Sequence, residues 1–513
     1  MMDTMNVACG DSLGEYRKSV TTNGLAATWD SIFDRVEKAG ETEFLNVDTF
    51  GRLYEDGLTI QDAVAKKRAG KYYTPPDVAS VMSEWLDRLP GTEVCDVACG
   101  TGNLILSYLE RIGMERAVGL VGGGHVHLYD IDRTTLRICA FSIGLKYGFE
   151  AAKGLNIHLG DFLQDGVDLP SDCKVITNPP YGPMDVRSSE ERDGPYAAYT
   201  PNGDLYAAFM GKTLKSGCPA VLLTPQSFLG GGKFAMLRRS MQCRGGFLVS
   251  FDNVPGSIFN GRKMGIFNTN SSNSTRAAIT VVEHVGAKTG FRVSPLVRFR
   301  SDERDRLLDC GVLESFLGSE RQYPGSMGHP FAKCHRELEE VRRKWNEAYD
   351  GFLGNMVRDG PESRELFVPT SCRYYTVASP SELHRKGMMR LRFGNAMEYA
   401  YAFCLLNSSF AYWHWRMFDG GVSLPYGIVR SIPTFLESLT YSDIAFCEDF
   451  SRKMESEWLR WRVYKNNKGV QESVKFPSEY RDRINEVFLR AIGADPNPRI
   501  FDVLHSNSAF HAQ

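Results

Sequence analysis

Asn178-Pro179-Pro180-Tyr181 directly follows the apolar run Lys174-Val175-Ile176-Thr177. Together these four residues could hold an amino nitrogen and aim its lone pair at an electrophile. The Asn178 side-chain oxygen and a main-chain carbonyl of the Pro-Pro step would each accept one N–H of an exocyclic NH2 group. Pro179 has a fixed φ and no N–H, so the nearby carbonyls are stiffly held and are not drawn into a ladder. Tyr181 offers a flat face on which a planar base or amide can stack. A strand ending in a proline turn would show the same letters without the chemistry, so the reading depends on what else reaches the same place.

Three upstream segments supply further polar groups. Asp96-Val97-Ala98-Cys99-Gly100-Thr101-Gly102-Asn103 lies between an apolar strand and a helix starting near Leu104. Its glycines allow a sharp turn and the close approach of a ligand to the backbone. A second strand ends at Asp130-Ile131-Asp132, where an acid can accept hydrogen bonds from ribose hydroxyls. A third ends at Gly160-Asp161-Phe162, where an acid can take an adenine amino group beside a ring. Strand tips of an open α/β sheet line one edge, and ligands bind at that edge.

The elements that must position these groups alternate. Strands are expected at 93–97, 125–129, 156–159, 174–177, 219–224, 247–251 and 276–283, with helical stretches between them. That pattern gives an α/β fold: seven mostly parallel strands with helices on both faces. Ahead of it, 24–65 reads as helical, with Trp29, Ile32, Phe33 and Val36 at helical spacing. Thr74 before Pro75 is a candidate N-cap for a helix through Val78, Val81, Met82 and Trp85. Beyond about 290 the alternation fades into a charged stretch at 298–306, a helix at 334–349 and irregular sequence to 394. A long helix at 395–417 and two more at 440–465 and 477–492 complete the chain. The expected domains are an N-terminal helical segment at 1–68, an α/β domain at 69–290 and a mixed C-terminal region at 291–513.

A chain of 513 residues exceeds one ordinary core, which agrees with several domains. The net charge of −2 neither indicates nor excludes a nucleic-acid partner, because binding needs a basic surface and not a basic total. The 12 cysteines are scattered singly, a reduced intracellular pattern without a zinc framework, and no metal is expected. The N-terminus carries Asp3, Asp11 and Glu15 and no apolar signal-like core. No apolar run approaches the roughly 20 residues that span a bilayer, so the expected location is cytoplasmic and no membrane partner is expected.

In its motif order the stretch from roughly 70 to 285 resembles the amino-group DNA methyltransferases that use S-adenosylmethionine, of the N6-adenine type and gamma class. Tyr73-Thr74-Pro75 stands ahead of the glycine loop, and a long region follows the catalytic core, as in that class. The resemblance implies a Rossmann-like methyltransferase sheet, S-adenosylmethionine as cofactor and adenine N6 in double-stranded DNA as acceptor. It implies that Tyr73, Thr74 and Pro75 bind the cofactor, the last two at its methionine end. Asp96, Cys99, Gly100 and Gly102 would form the floor, Asp130 would hold the ribose, and Asp161 with Phe162 the adenine. Asn178, Pro179, Pro180 and Tyr181 would be catalytic, with Asn178 also facing the cofactor. Tyr181 and Phe259 would stack on opposite faces of the extruded base. Asp204-Leu205-Tyr206 with Phe209 looks like the segment that opens the next helix beside the cofactor, and Pro225 also fits. Two positions depart from the family pattern: Val97 replaces a frequent proline, and Leu128 replaces a glycine two places before the ribose acid. The second leaves Asp132 as an alternative to Asp130.

The C-terminal half looks like the family's target-recognition region. Between 373 and 392, Arg373, Arg385, Lys386, Arg390 and Arg392 face one acid and are interleaved with Tyr374 and Tyr375, which suits phosphate contacts. The stretch 452–468 carries six Arg or Lys against two acids, with Trp458, Trp461 and Tyr464. Asn407-Ser408-Ser409-Phe410 through Trp415 resembles a segment closing recognition domains, and His414 is expected to pack there. A restriction nuclease or a specificity subunit is the further partner that the resemblance implies. Rival readings are methylation of a release-factor glutamine or of a ribosomal RNA guanine, since both families share Asn-Pro-Pro-Tyr. A third is a catalytically idle DNA-binding homologue in a defence system.

Overall fold

The computed structural model describes residues 74–182, 204–259, 275–283, 286, 289–323, 328–358, 363–372, 375–419, 423–466 and 470–510. The helical segment expected at 24–65, Tyr73 and Arg373 lie outside the described residues. The chain divides into two units. One comprises residues up to Val293 with Val297–Pro330, the other Phe331–Gln513 with Ser294–Leu296.

Short runs of Val, Ile, Leu and Cys form the strands of the first unit: β1 (Glu93–Asp96), β2 (Val126–Asp130), β3 (Asn156–Leu159), β4 (Cys173–Thr177), β5 (Ala220–Pro225), β6 (Gly245–Phe251), β7 (Ala277–Val282) and β8 (Gly290–Val297). β4 is buried at every position, and so is β7, as strands covered on both faces must be. The spatial order is β3-β2-β1-β4-β5-β7-β6-β8. The pairs β1–β2, β2–β3, β1–β4 and β4–β5 are parallel, while β7 runs antiparallel between β5 and β6. The chain therefore moves outward from β1 to β3, then returns to lay β4 on the other side of β1. That reversal is a topological switch point, and it leaves a crevice beyond the carboxyl ends of β1 and β4.

The sheet has eight strands, not the expected seven, and β8 begins where the domain boundary was expected. Pro295 within β8 masks its strand character in the sequence. Proline is tolerated there because β8 is an edge strand, where a missing N–H breaks no inner ladder.

Four helices matter for the site: α1 (Pro76–Asp87), α2 (Asn103–Ile112), α3 (Arg133–Tyr147) and α4 (Leu205–Ser216). α1 buries Val78, Val81, Met82 and Trp85, one stripe at helical spacing. Trp85 is fully buried, and truncating such a ring to alanine costs about 3 to 5 kcal/mol. Pro75, not Thr74, occupies the N-cap of α1, with Pro76 as the first helical residue.

The second unit is built on an aromatic core. Trp345, Phe410, Trp413, Phe435 and Phe488 are buried together, with Trp345 edge-on to Phe410 at 5.0 Å. His414 packs in this core: its Nε2 meets Ser431 Oγ at 3.1 Å, and burial pushes its pKa down to about 3. The helix expected at 395–417 is two helices, Ala396–Leu406 and Ser409–Phe418. Asn407 closes the first by donating to Phe403 O, and Ser408 Oγ caps the second by accepting from Phe410 N–H. The helix expected at 440–465 ends at Glu457, and Arg462–Asn466 pairs antiparallel with Val470–Val474. Val463 and Tyr464 favour a strand there over a helix.

Candidate active site at the strand tips

The turn after β1 is shaped by two glycines in the left-handed region, Gly100 at φ 54° and Gly102 at φ 95°. At Gly102 a side chain is also excluded sterically, because a Cβ would lie 2.5 Å from Cys139 Sγ. Gly102 caps α2, and Cys99 N–H donates to Tyr129 O at 3.0 Å, which seats the loop against β2. The buried Cys99 thiol has its pKa raised by burial, so it is an apolar filler here and not a nucleophile.

The two candidate ribose acids differ in what they hold. Asp130 Oδ2 accepts the Gly100 N–H at 2.9 Å, and its Oδ1 accepts the Asp132 N–H at 2.9 Å, which places this carboxylate on the glycine loop. Asp132 Oδ1 instead accepts the Thr134 N–H as the N-cap of α3. Asp130 thus lies against the glycine loop, and Asp132 caps α3.

At the third tip Asp161 Oδ1 accepts the Leu163 N–H, and Phe162 lies buried against Tyr129 and Phe209. This corner rests on a residue not anticipated from the sequence. Lys212, on α4, is 6 % exposed and donates from Nζ to the carbonyls of Phe162 at 2.5 Å and Gln164 at 2.9 Å. Burial lowers its pKa, and its ammonium sits 4.8 Å from the Phe162 ring centre. A lysine in a helix reads as a solvated position until the loop that it supports is seen.

The fourth tip carries Asn178. Its Nδ2 donates to Thr74 Oγ1 at 2.9 Å, so the Thr74 hydroxyl orients the amide and leaves helix capping to Pro75. Because amide nitrogen and oxygen point to opposite sides of Cγ, Oδ1 is presented away from Thr74. Tyr181 donates from its hydroxyl to Leu223 O at 3.3 Å, pinning the ring toward β5. Phe259 meets Tyr181 edge-on, with centroids 6.0 Å apart and planes at 72°, and is fully buried. The two rings are therefore a face and an edge, not the two parallel plates that opposite-face stacking requires. Tyr206 approaches Tyr181 from another side at 76°, with its hydroxyl hydrogen-bonded to Ser227 Oγ.

Asp204 lies at the N-cap of α4 and pairs with Lys233. Just beyond β5, Gln226 is 1 % exposed, and among the described residues neither atom of its amide has a hydrogen-bond partner. No sequence motif singles it out.

The nucleoside cofactor implied by this fold fits the residues present. Asp96, beside the switch point, is 1 % exposed; its Oδ1 accepts the Ala98 N–H, and a hydrogen bond from the Thr177 hydroxyl offsets part of the cost of burying the carboxylate. Burial pushes the Asp96 pKa up to about 7, with the nearby Asp130 carboxylate adding to the rise. A cationic or hydrogen-donating ligand would relieve both effects. At Gly100 an added Cβ would meet nothing within 4 Å, so the loop faces open space.

Residues 45–265 match the family model for N-6 DNA Methylase. That region belongs to the N-6 DNA methylase family. Among curated relatives, the methylase subunit of type I restriction enzyme MpnII from Mycoplasma pneumoniae is 24% identical over 43% of this chain and 43% of its own. The methylase subunit of type I restriction enzyme MjaIX from Methanocaldococcus jannaschii is 30% identical over 26% of this chain and 23% of its own. The type II methyltransferase M.VspI from a Vibrio strain is 24% identical over 39% of this chain and 47% of its own. The matches thus span less than half the length of these curated relatives.

Outside the N-6 DNA methylase region, the cations expected to face DNA are partly compensated. Arg390 and Arg392 project from one strand and both bond Glu365 Oε1, Arg392 Nε at 2.8 Å. Arg385 donates to Ser371 Oγ at 2.6 Å, and Lys386 is exposed. Among the described residues no helix is long and apolar enough to cross a membrane, and no group of three or more His, Cys, Asp or Glu could hold a metal ion.

Proposed function

We propose that this chain transfers a methyl group from S-adenosylmethionine to the N6 amino group of an adenine extruded from double-stranded DNA, at a specific sequence. The observation that carries the reading is the Thr74-oriented Asn178 amide beside Tyr181 at the carboxyl tip of β4, next to the switch point. Asp96 and the glycine loop lie on the other side of that switch, so cofactor and acceptor would meet across it.

The cofactor, when bound, supplies an electrophilic methyl group on a sulfonium sulfur. Asn178 Oδ1 and the Pro179 carbonyl accept the two amino protons of the base and turn the nitrogen lone pair out of conjugation. Tyr181 supplies the face against which the base lies, and the Phe259 edge closes the wall behind that ring. Extrusion of the base costs a few kcal/mol. Stacking on Tyr181 returns about 1 to 3 kcal/mol. Attack on a methyl group carried by a cationic centre would need no strong general base; the surplus amino proton, held at Asn178 Oδ1 or the Pro179 carbonyl, would pass to water once the methyl group has been transferred. The residues act by alignment, which effective-molarity arguments value at about 7 to 11 kcal/mol. Pro75, Asp130, Asp161 and Phe162 complete the cofactor's surroundings, and the second unit, with Arg385 and Lys386, reads the target. A specificity subunit or nuclease is the partner class this role calls for.

The test is to express the chain in cells lacking adenine methylation and to sequence their DNA by a method sensitive to N6-methyladenine. One modified motif supports the reading. Unmodified DNA together with methylated RNA or protein would replace it with one of the rival acceptors.

A further inference from the structure

Arg304 lies beyond residue 265, where the family match ends, within the charged stretch at 298–306. It is instead 4 % exposed and makes four contacts in three directions. Its Nε and Nη2 donate to Asp77 Oδ2 and Oδ1 at 2.6 and 2.9 Å. Its Nη1 donates to Ser257 O at 2.9 Å, and Nη2 also donates to Ile258 O at 2.8 Å. Asp77 sits in the first turn of α1, directly after Thr74-Pro75, and Ser257-Ile258 directly precedes Phe259.

Followed through the site, these contacts close a ring. Arg304 holds Asp77 on the short segment that includes Thr74; Thr74 receives the Asn178 amide; Tyr181, three residues on, meets Phe259; and Ile258 returns to Arg304. The same loop is tied at its base. Asp252, just after β6, accepts from Arg276 Nε at 2.7 Å and from Arg298 Nε at 3.0 Å, all three side chains being buried. The segment bearing Phe259 thus leans on α1 through one planar, five-donor group that no other side chain can replace.

We propose that Arg304 is a positioning residue that couples the cofactor-side segment at Thr74-Pro75 to the base-side segment at Ser257-Phe259. This rests on the methyltransferase reading for the identity of the cofactor. Occupation of the glycine loop and Thr74 by cofactor would stiffen α1's start, and Arg304 would pass that order to the wall behind Tyr181 before a base arrives.

Hydrogen exchange of the full chain, with and without S-adenosylmethionine, tests it. In the wild-type protein the cofactor should slow exchange at 100–102 and also, by about threefold, at 257–259. Arg304→Lys, which keeps the charge but reaches fewer acceptors, should keep protection at 100–102 and lose it at 257–259. Its kcat on unmethylated DNA should fall about tenfold, with the cofactor dissociation constant nearly unchanged. Arg304→Met, if folded by its melting curve, should show the same pattern more strongly. Equal protection of 257–259 in wild type and Arg304→Lys overturns the proposal, as does wild-type cofactor binding that leaves 257–259 unprotected. Coupled protection in a wild-type protein that leaves DNA unmethylated would sustain the coupling and sink the DNA reading.

Discussion

Asn178 Nδ2 donates to Thr74 Oγ1 across 2.9 Å, joining two residues 104 positions apart in the chain. The bond sets which side of the amide faces a substrate, so its loss should be felt in turnover more than in cofactor binding. A hydrogen bond of this kind contributes about 1 kcal/mol, so Thr74→Val should lower kcat roughly fivefold while Thr74→Ser stays near wild type. Asn178→Ala should abolish methyl transfer and leave the cofactor dissociation constant, read by calorimetry, almost unchanged. Robust turnover by that variant would remove Asn178 from the chemistry.

Asp130 and Asp132 should separate cleanly when each is changed to alanine. Asp130→Ala loses the acceptor for Gly100 N–H and should weaken cofactor binding by about 10- to 150-fold, as a charge-assisted hydrogen bond of about 1.5–3 kcal/mol implies. Asp132→Ala loses the N-cap of α3 and should lower stability by about 1 kcal/mol with little change in affinity. The opposite pattern would move the ribose role to Asp132.

Asp96 makes the unliganded protein sensitive to pH in an unusual direction. Its pKa in the fold, about 7, is raised above the ordinary 3.8, so the folded state holds this proton more tightly than the unfolded chain. Its contribution to stability is therefore greatest below pH 4 and declines as pH rises toward 7. A ligand carrying positive charge favours the ionised form, so S-adenosylmethionine should bind more tightly as pH rises through 7, and Asp96→Asn should flatten that profile. Titration calorimetry between pH 6 and pH 8 reads it; a flat wild-type profile would show that Asp96 does not face the cofactor's charge.

How much of this arrangement could be read from the chain alone follows physical lines. The seven strands expected from 93 to 283 lie within a residue or two of their expected bounds, because most of them are buried and are written as local apolar runs. Asp96, Asp130, Asp161 and Asn178 stand at strand tips, and those tips are legible because they follow the runs. Thr74 looked like a cap because capping is a local pattern, whereas its real partner lies on another strand. The partners of Arg298 and Arg304 are not legible in the charged stretch, because charge alone does not reveal a buried acid across the fold, and Asp77 is 227 residues from Arg304. Phe259 was found, but its edge-on angle to Tyr181 is set by packing that no spacing encodes.

Glu365 restrains two of the cations expected to meet DNA. Glu365→Gln should remove the negative charge that Arg390 and Arg392 share and steepen the salt dependence of duplex binding by about one unit of log–log slope. Lys386→Ala should make it shallower by a similar amount. Anisotropy titrations with a random-sequence duplex at several salt concentrations measure both. Slopes unchanged in both variants would place the DNA on another surface.

The span between Asp77 and Arg304 also sets a clock on the ribosome. At about 5 to 20 residues per second, the guanidinium emerges roughly 11 to 45 s after the carboxylate that it grips. The glycine loop and the Asn-Pro-Pro-Tyr turn are synthesised within that interval, yet the ring of contacts around them stays open until its end. Prematurely terminated chains ending before Arg304 would carry the glycine loop and the Asn-Pro-Pro-Tyr turn and still lack the guanidinium that joins Asp77 to Ser257 and Ile258.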